Sequence, residues 1–166
     1  MINQKLPEQQ IAIYTFDSNT ELLQNFTSDK AALIAAINII PEVDLVNSTN
    51  LYGAIQEMEG LWEDVYSIDG IEDGSLIIFT DGRHNATQNI TLTDALRAID
   101  GKKRFVAALT SPDLDEASLK VLAESEDRYF KAADVYGLQN MFLNIQDEIQ
   151  KSSNSIYYMY LSLIHI

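Results

Sequence analysis

The sequence predicts an α/β fold: a doubly wound, mainly parallel sheet with helices on both faces and one short antiparallel edge strand. Strand-like and helix-like segments alternate along the chain, which is typical of parallel sheets. The run Leu76–Phe79 has no polar alternation, as expected of a strand buried on both faces. The 166 residues are 46% hydrophobic and contain no repeat or Pro- or Gly-rich linker, which favours one core.

The first half of the chain opens with two strands and continues with two helices. Residues 10–16 (QIAIYTF) form a strand that ends at Asp17, a predicted turn residue, and residues 21–26 (ELLQNF) pair back antiparallel. A helix follows with Ser28 or Asp29 as its N-cap and Pro41 as its stop, and a second helix covers about residues 51–65.

The second half repeats the strand and helix alternation. The buried strand at 76–79 precedes a helix that Thr91 or Thr93 caps and Gly101 ends. The remaining segments are a buried strand (RFVAALT), a short helix (DEASLKVLAESE), a short strand (RYFKA) and an amphipathic helix (YGLQNMFLNIQDEIQKSS). Leu138, Met141, Phe142, Ile145 and Ile149 share one face of that last helix, which predicts that this face packs on the core.

The charge balance limits the classes of partner. Twenty-five acidic residues against 11 Lys and Arg give a formal net charge of −14, which argues against nucleic acid and favours cations. No apolar run of 18 residues is present, so we expect no direct insertion into a membrane. The absence of cysteine excludes thiolate metal sites and leaves the compartment open.

Two polar stretches carry oxygen ligands of the kind that Mg²⁺ prefers. Asp81 follows the buried strand in LIIFTDG, at the strand end where open α/β sheets place their ligands. Thr49 lies in NSTNLYGAI, just before a helix. The simpler interpretations are that Asp81 and Gly82 only form a turn and that Ser48, Thr49 or Asn50 only caps the helix.

Together, these stretches resemble the von Willebrand factor A domain family, whose metal-ion-dependent adhesion site joins a D-x-S-x-S loop, a threonine before a helix and an aspartate often found in TDG. The resemblance covers about residues 10–152 and implies a Rossmann-like fold. It implies that Thr49 and Asp81 hold Mg²⁺, or Mn²⁺ or Ca²⁺, and that the cation binds an acidic residue of a partner protein. The implied function is adhesion-type protein binding within a longer bacterial surface or envelope protein; a cytoplasmic location stays open.

The sequence departs from that family pattern at both ends. No D-x-S-x-S motif is present, and no segment before Gln10 reads as a first central strand. Residues 1–152 are therefore predicted to form the domain without its first strand and helix, with metal binding weak or absent. Residues 153–166 read as the start of a following β-rich region, and the last six, LSLIHI, resemble a translated sequencing adapter.

Two other functions compete with metal-dependent binding. The first is an interaction module that needs no metal. The second is an enzyme, and we expect none: the triad Asp81, His84 and Ser75 has nothing to orient it, and no nucleotide-binding glycine motif occurs. A metallohydrolase could use Asp81 with Asp113 or Asp115, although those carboxylates more simply cap the helix near Leu114.

Overall fold

The structure is a computed structural model that describes residues 2–40, 48–65, 73–86, 89–149 and 155–162. Its strands are β1 (Gln10–Phe16), β2 (Thr20–Thr27), β3 (Asp73–Thr80), β4 (Lys103–Leu109), β5 (Tyr129–Ala132) and β6 (Ser155–Ser162). Its helices are α1 (Lys30–Asn38), α2 (Leu51–Val65), α3 (Leu92–Ala98), α4 (Glu116–Leu122) and α5 (Val135–Ile149). None of the helices within these ranges has the length and apolar character needed to cross a membrane.

The six strands form one sheet in the order β2-β1-β6-β3-β4-β5. β2 pairs antiparallel with β1 at one edge, and the remaining neighbours pair in parallel. This arrangement confirms the predicted α/β class, the mainly parallel sheet and the antiparallel edge strand.

The position of β6 corrects the predicted domain organisation. We expected residues 153–166 to begin a following region and the centre of the sheet to lack a strand, but β6 lies in that centre. Tyr158 is in register with Ala12 on one side and Leu76 on the other, both in parallel. The physical reason is that the facing edges of β1 and β3 would otherwise leave backbone N–H and C=O groups unpaired. The last two residues of β6, Leu161 and Ser162, belong to the segment that resembles an adapter sequence.

Helices cover both faces of the sheet, as predicted. On one face α2, α3 and α4 pack against alternate sheet residues that include Leu76 and Ile78. On the other face α1 and α5 pack against residues that include Ile77 and Phe79. Leu76, Ile77 and Ile78 are fully buried, because a central strand sends successive side chains into the two cores.

Local signals account for the helix ends. The Asp29 carboxylate accepts hydrogen bonds from the backbone N–H groups of Ala31 and Ala32, so Asp29 is the N-cap of α1. Thr91 and Asp94 form a capping box at the start of α3. Gly101 has a φ of 69° after the end of α3, a left-handed conformation that favours glycine. The predicted stop at Pro41 lies outside the described residues.

Candidate functional site

A pocket of about 510 Å³ opens at the carboxyl ends of the parallel strands. Three chain segments line it: the loop before α2, the loop after β3 and the loop after β4. Its lining residues are Thr49, Asp81, Gly82, Arg83, Asn85, Ser111, Pro112 and Asp113. The structure therefore brings the two predicted metal ligands, Thr49 and Asp81, into one pocket. Asn50, next to Thr49, is hydrogen-bonded to the turn that follows β1, and β1 ends at the same edge of the sheet as β3.

The turn Thr80-Asp81-Gly82 begins the site at the end of β3. Thr80 is buried, and its hydroxyl oxygen accepts a hydrogen bond from the Gly82 N–H at 3.3 Å. This bond turns the chain at Asp81, out of the sheet. A Cβ atom on Gly82 would lie 3.6 Å from the Thr49 hydroxyl oxygen. The turn thus places Asp81 beside the loop that carries Thr49.

Asn50, and not Thr49, caps helix α2. The Asn50 Oδ1 atom accepts a hydrogen bond from the Gly53 N–H at 3.2 Å, and its Nδ2 group donates to the Ser18 carbonyl at 3.4 Å. The Asp17 carboxylate accepts from the Asn19 N–H, so Asp17 is a turn residue as predicted. With the cap supplied by its neighbour, the Thr49 hydroxyl has no hydrogen-bond partner among the described residues.

Two contacts fix the loop after β3 against the start of α2. The Thr49 N–H donates to Asn85 Oδ1 at 2.5 Å, and the Asn85 N–H donates to the Thr49 carbonyl at 3.1 Å. The His84 ring stacks on Tyr52 with ring centroids 4.1 Å apart, and His84 Nδ1 accepts from the Tyr52 N–H at 3.4 Å. Partial burial lowers the pKa of His84, which favours the neutral imidazole that this bond requires.

The loop after β4 closes the other side of the pocket. The Ser111 hydroxyl donates to the Asp81 carbonyl, which joins the loops that follow β3 and β4. Asp115 is the N-cap of α4, and its pKa is lowered chiefly by hydrogen bonds from the Ser118 hydroxyl and N–H. Asp113 is not the cap and lines the pocket instead. Sequence reasoning gave Ser111 and Asn85 no role in this site, because only the fold brings them to Asp81 and Thr49.

The pocket offers oxygen ligands of the type that a hard cation binds, but few of them. Thr49 and Ser111 offer hydroxyl oxygens, and Asp81 and Asp113 offer carboxylates, the ligand types that Mg²⁺ and Ca²⁺ take. Within the described ranges, no three Asp, Glu or His side chains gather in a group able to hold a metal ion. A cation here would therefore keep several water ligands and bind weakly.

The hypothetical triad of Asp81, His84 and Ser75 is not assembled. Ser75 is buried near the start of β3, whereas Asp81 follows its end. Six residues of extended chain separate them by about 20 Å. His84 is held by Tyr52 and does not line the pocket.

Comparisons with known proteins give a family match and a similar solved structure. A family model described as von Willebrand factor type A domain matches residues 1–84, a span that includes both Thr49 and Asp81. One similar solved structure is the crystal structure of an uncharacterized membrane spanning protein from Vibrio fischeri. It is 15% identical, with 89% of this chain and 79% of that chain covered, at a TM-score of 0.41. No curated protein matches the chain.

The family match covers just over half of the chain. The chain therefore belongs to the von Willebrand factor type A domain family.

Proposed function

We propose that this protein-interaction module binds a carboxylate of a partner protein at the strand-end pocket, through a divalent cation held by Thr49 and Asp81. The observation that carries the proposal is the position of the Thr49 hydroxyl. It lies in the same pocket as Asp81 and has no hydrogen-bond partner among the described residues, because Asn50 supplies the helix cap.

The cation would be Mg²⁺, Mn²⁺ or Ca²⁺. When bound, it supplies a positive charge with an open coordination position that an acidic side chain of the partner fills. Thr49 and Asp81 hold it on the protein side, and the loops that Asn85 and Ser111 join keep those two residues in place. The small donor set supports a weak site.

We also propose that the module works in a longer bacterial surface or envelope protein. A weak cation site favours this setting, since extracellular modules typically hold Ca²⁺ with dissociation constants of about 10⁻⁴ to 10⁻³ M. Surface labelling of intact cells with an impermeant reagent tests the location, and exclusive labelling after lysis would argue for a cytoplasmic role.

Mn²⁺ titration followed by electron paramagnetic resonance tests the cation directly. The free-ion signal should fall on addition of the protein, and Asp81→Ala should abolish that loss. Asp100→Asn is the matched control, because Asp100 is an exposed carboxylate in the turn between α3 and β4, at the opposite end of the strands. Millimolar Mg²⁺ should likewise raise Tm for the parent and Asp100→Asn proteins and not for Asp81→Ala.

Equal Mn²⁺ binding by the parent and Asp81→Ala proteins would refute the assignment of Asp81. No binding by either would favour the second candidate, a metal-independent interaction module. That candidate is supported by the lack of a three-carboxylate cluster among the described residues.

A further inference from the structure

We infer that Arg83 recognises the partner's carboxylate directly, and that it does so with or without a divalent cation in the pocket. This inference rests on the proposed function in one respect only, that the strand-end pocket is the partner site. Arg83 lines that pocket and its side chain is exposed.

Arg83 differs from the other cationic residues in how its charge is used. The described ranges contain ten Lys and Arg residues, and nine of these make an ion pair, a hydrogen bond or a cation–π contact. Arg83 makes none of these with any residue that the structure describes. In a protein with a formal net charge of −14, a guanidinium that forms no ion pair with a carboxylate of the described residues is available to an external one.

The neighbours of Arg83 are anchored, which fixes where its side chain emerges. The Gly82 N–H is bonded to Thr80, the His84 ring stacks on Tyr52, and Asn85 is held by Thr49. The backbone of Arg83 is therefore already ordered, so binding of a partner carboxylate costs little conformational entropy in this loop. The lowered pKa of Asp115, which is due first to its hydrogen bonds with Ser118, includes a small contribution from the Arg83 charge.

The charge of the pocket lining explains how Arg83 and a cation act together. Asp81 and Asp113 against Arg83 give the lining a formal charge of −1, and a bound divalent cation changes it to +1. Without Arg83 the corresponding charges are −2 and 0, so the lining never becomes positive. Without a cation, Arg83 therefore halves the negative charge that a partner carboxylate meets, and the lining becomes positive only when Arg83 and a cation are both present.

Chemical-shift titration of the ¹⁵N-labelled chain tests the inference with a matched pair of probes. Acetyl-aspartate amide carries the carboxylate, and acetyl-asparagine amide is its neutral isostere. Both are titrated at constant ionic strength, once in EDTA and once in millimolar Mg²⁺. The backbone amides of Gly82, Arg83, Asn85, Ser111 and Asp113 report on the pocket.

The variants are Arg83→Gln, Arg83→Lys and the control Arg97→Gln, which removes an equal charge from an exposed arginine whose ion-pair partner among the described residues is Asp94. We expect the aspartate probe to bind more tightly than the asparagine probe in both buffers. Arg83→Gln should weaken aspartate binding about three- to ten-fold in both, Arg83→Lys should lose less, and Arg97→Gln should match the parent.

Equal weakening by Arg83→Gln and Arg97→Gln, or equal binding of the two probes, would overturn the inference. The cation proposal is judged separately by Asp81→Ala. If Mg²⁺ strengthens binding equally in the parent and Asp81→Ala proteins, the cation assignment fails, while the effect of Arg83→Gln in EDTA still decides the role of Arg83.

Discussion

The substitution Gly53→Ala should destabilise the protein, although alanine is the better helix former. In an exposed helix interior the change would stabilise by about 1 kcal/mol. Here a Cβ atom would lie 2.3 Å from Asn50 Nδ2 and 2.6 Å from Asn50 Cγ. Asn50 is only 6% exposed and its side chain bonds to Gly53 and Ser18, so it cannot move aside without losing the cap of α2.

The expected magnitude follows from these opposing terms. Losing an asparagine cap costs about 1 kcal/mol, and leaving its buried amide without a partner costs about 1–3 kcal/mol. After subtraction of the helix-propensity gain, Gly53→Ala should lower the free energy of unfolding by about 1–3 kcal/mol. In an Asn50→Ala background the clash is absent, so the same change should stabilise by up to about 1 kcal/mol.

Urea denaturation of the parent, both single variants and the double variant measures this coupling. The cycle should give a coupling free energy of about 2–4 kcal/mol. Additive effects, or a stabilised Gly53→Ala protein with Asn50 intact, would show that Asn50 does not hold the start of α2 in the way described. That result would also contradict the assignment of Asn50, and not Thr49, as the N-cap of α2.

Two further predictions concern pH and the central strand. Burial lowers the folded-state pKa of His84 below 6.5, so the unfolded chain binds the proton first and stability should fall as pH drops below about 6.5. His84→Phe keeps a ring to stack on Tyr52 and should make the free energy of unfolding less dependent on pH below about 6.5. If urea melts at several pH values give the same pH dependence for the parent and His84→Phe proteins, the prediction is wrong. Tyr158→Pro removes a backbone N–H from β6, which pairs on both sides, and should cost roughly 3 kcal/mol or more. An unaltered urea midpoint for Tyr158→Pro would mean that β6 does not hold the sheet centre.

Much of the fold could be predicted from the sequence because its signals are local. The unbroken apolar run of β3, the cap at Asp29 and the capping box at Thr91 each depend on residues within one or two turns of chain. The face of α5 that carries Met141 and Ile145 was predicted from spacing alone and is buried in the structure. The spacing of apolar residues indicates which face of a helix or strand is buried, but it does not indicate which element packs on that face.

Only some of the residues at the candidate site could be predicted from the sequence. Thr49 and Asp81 were predicted as metal ligands through motif resemblance, and both line one pocket, while their binding of a metal stays a prediction. The roles of Asn85 and Ser111 were not found, because each acts through a residue about 30 or more positions away. No pattern in the sequence distinguishes Asn50 from Thr49 as the helix cap, since both residue types serve as caps and only the packing against Ser18 selects one.

By itself, the sequence determined the order and type of the elements, the two-faced burial of β3 and the chemistry available at its end. Only the tertiary structure decided the position of β6 between β1 and β3, the joining of the loops around the pocket and the absence of an ion pair between Arg83 and any residue that the structure describes. The reason is that strand pairing over long sequence separations is settled by competition among open backbone edges, and a local pattern carries no information about which edge remains open.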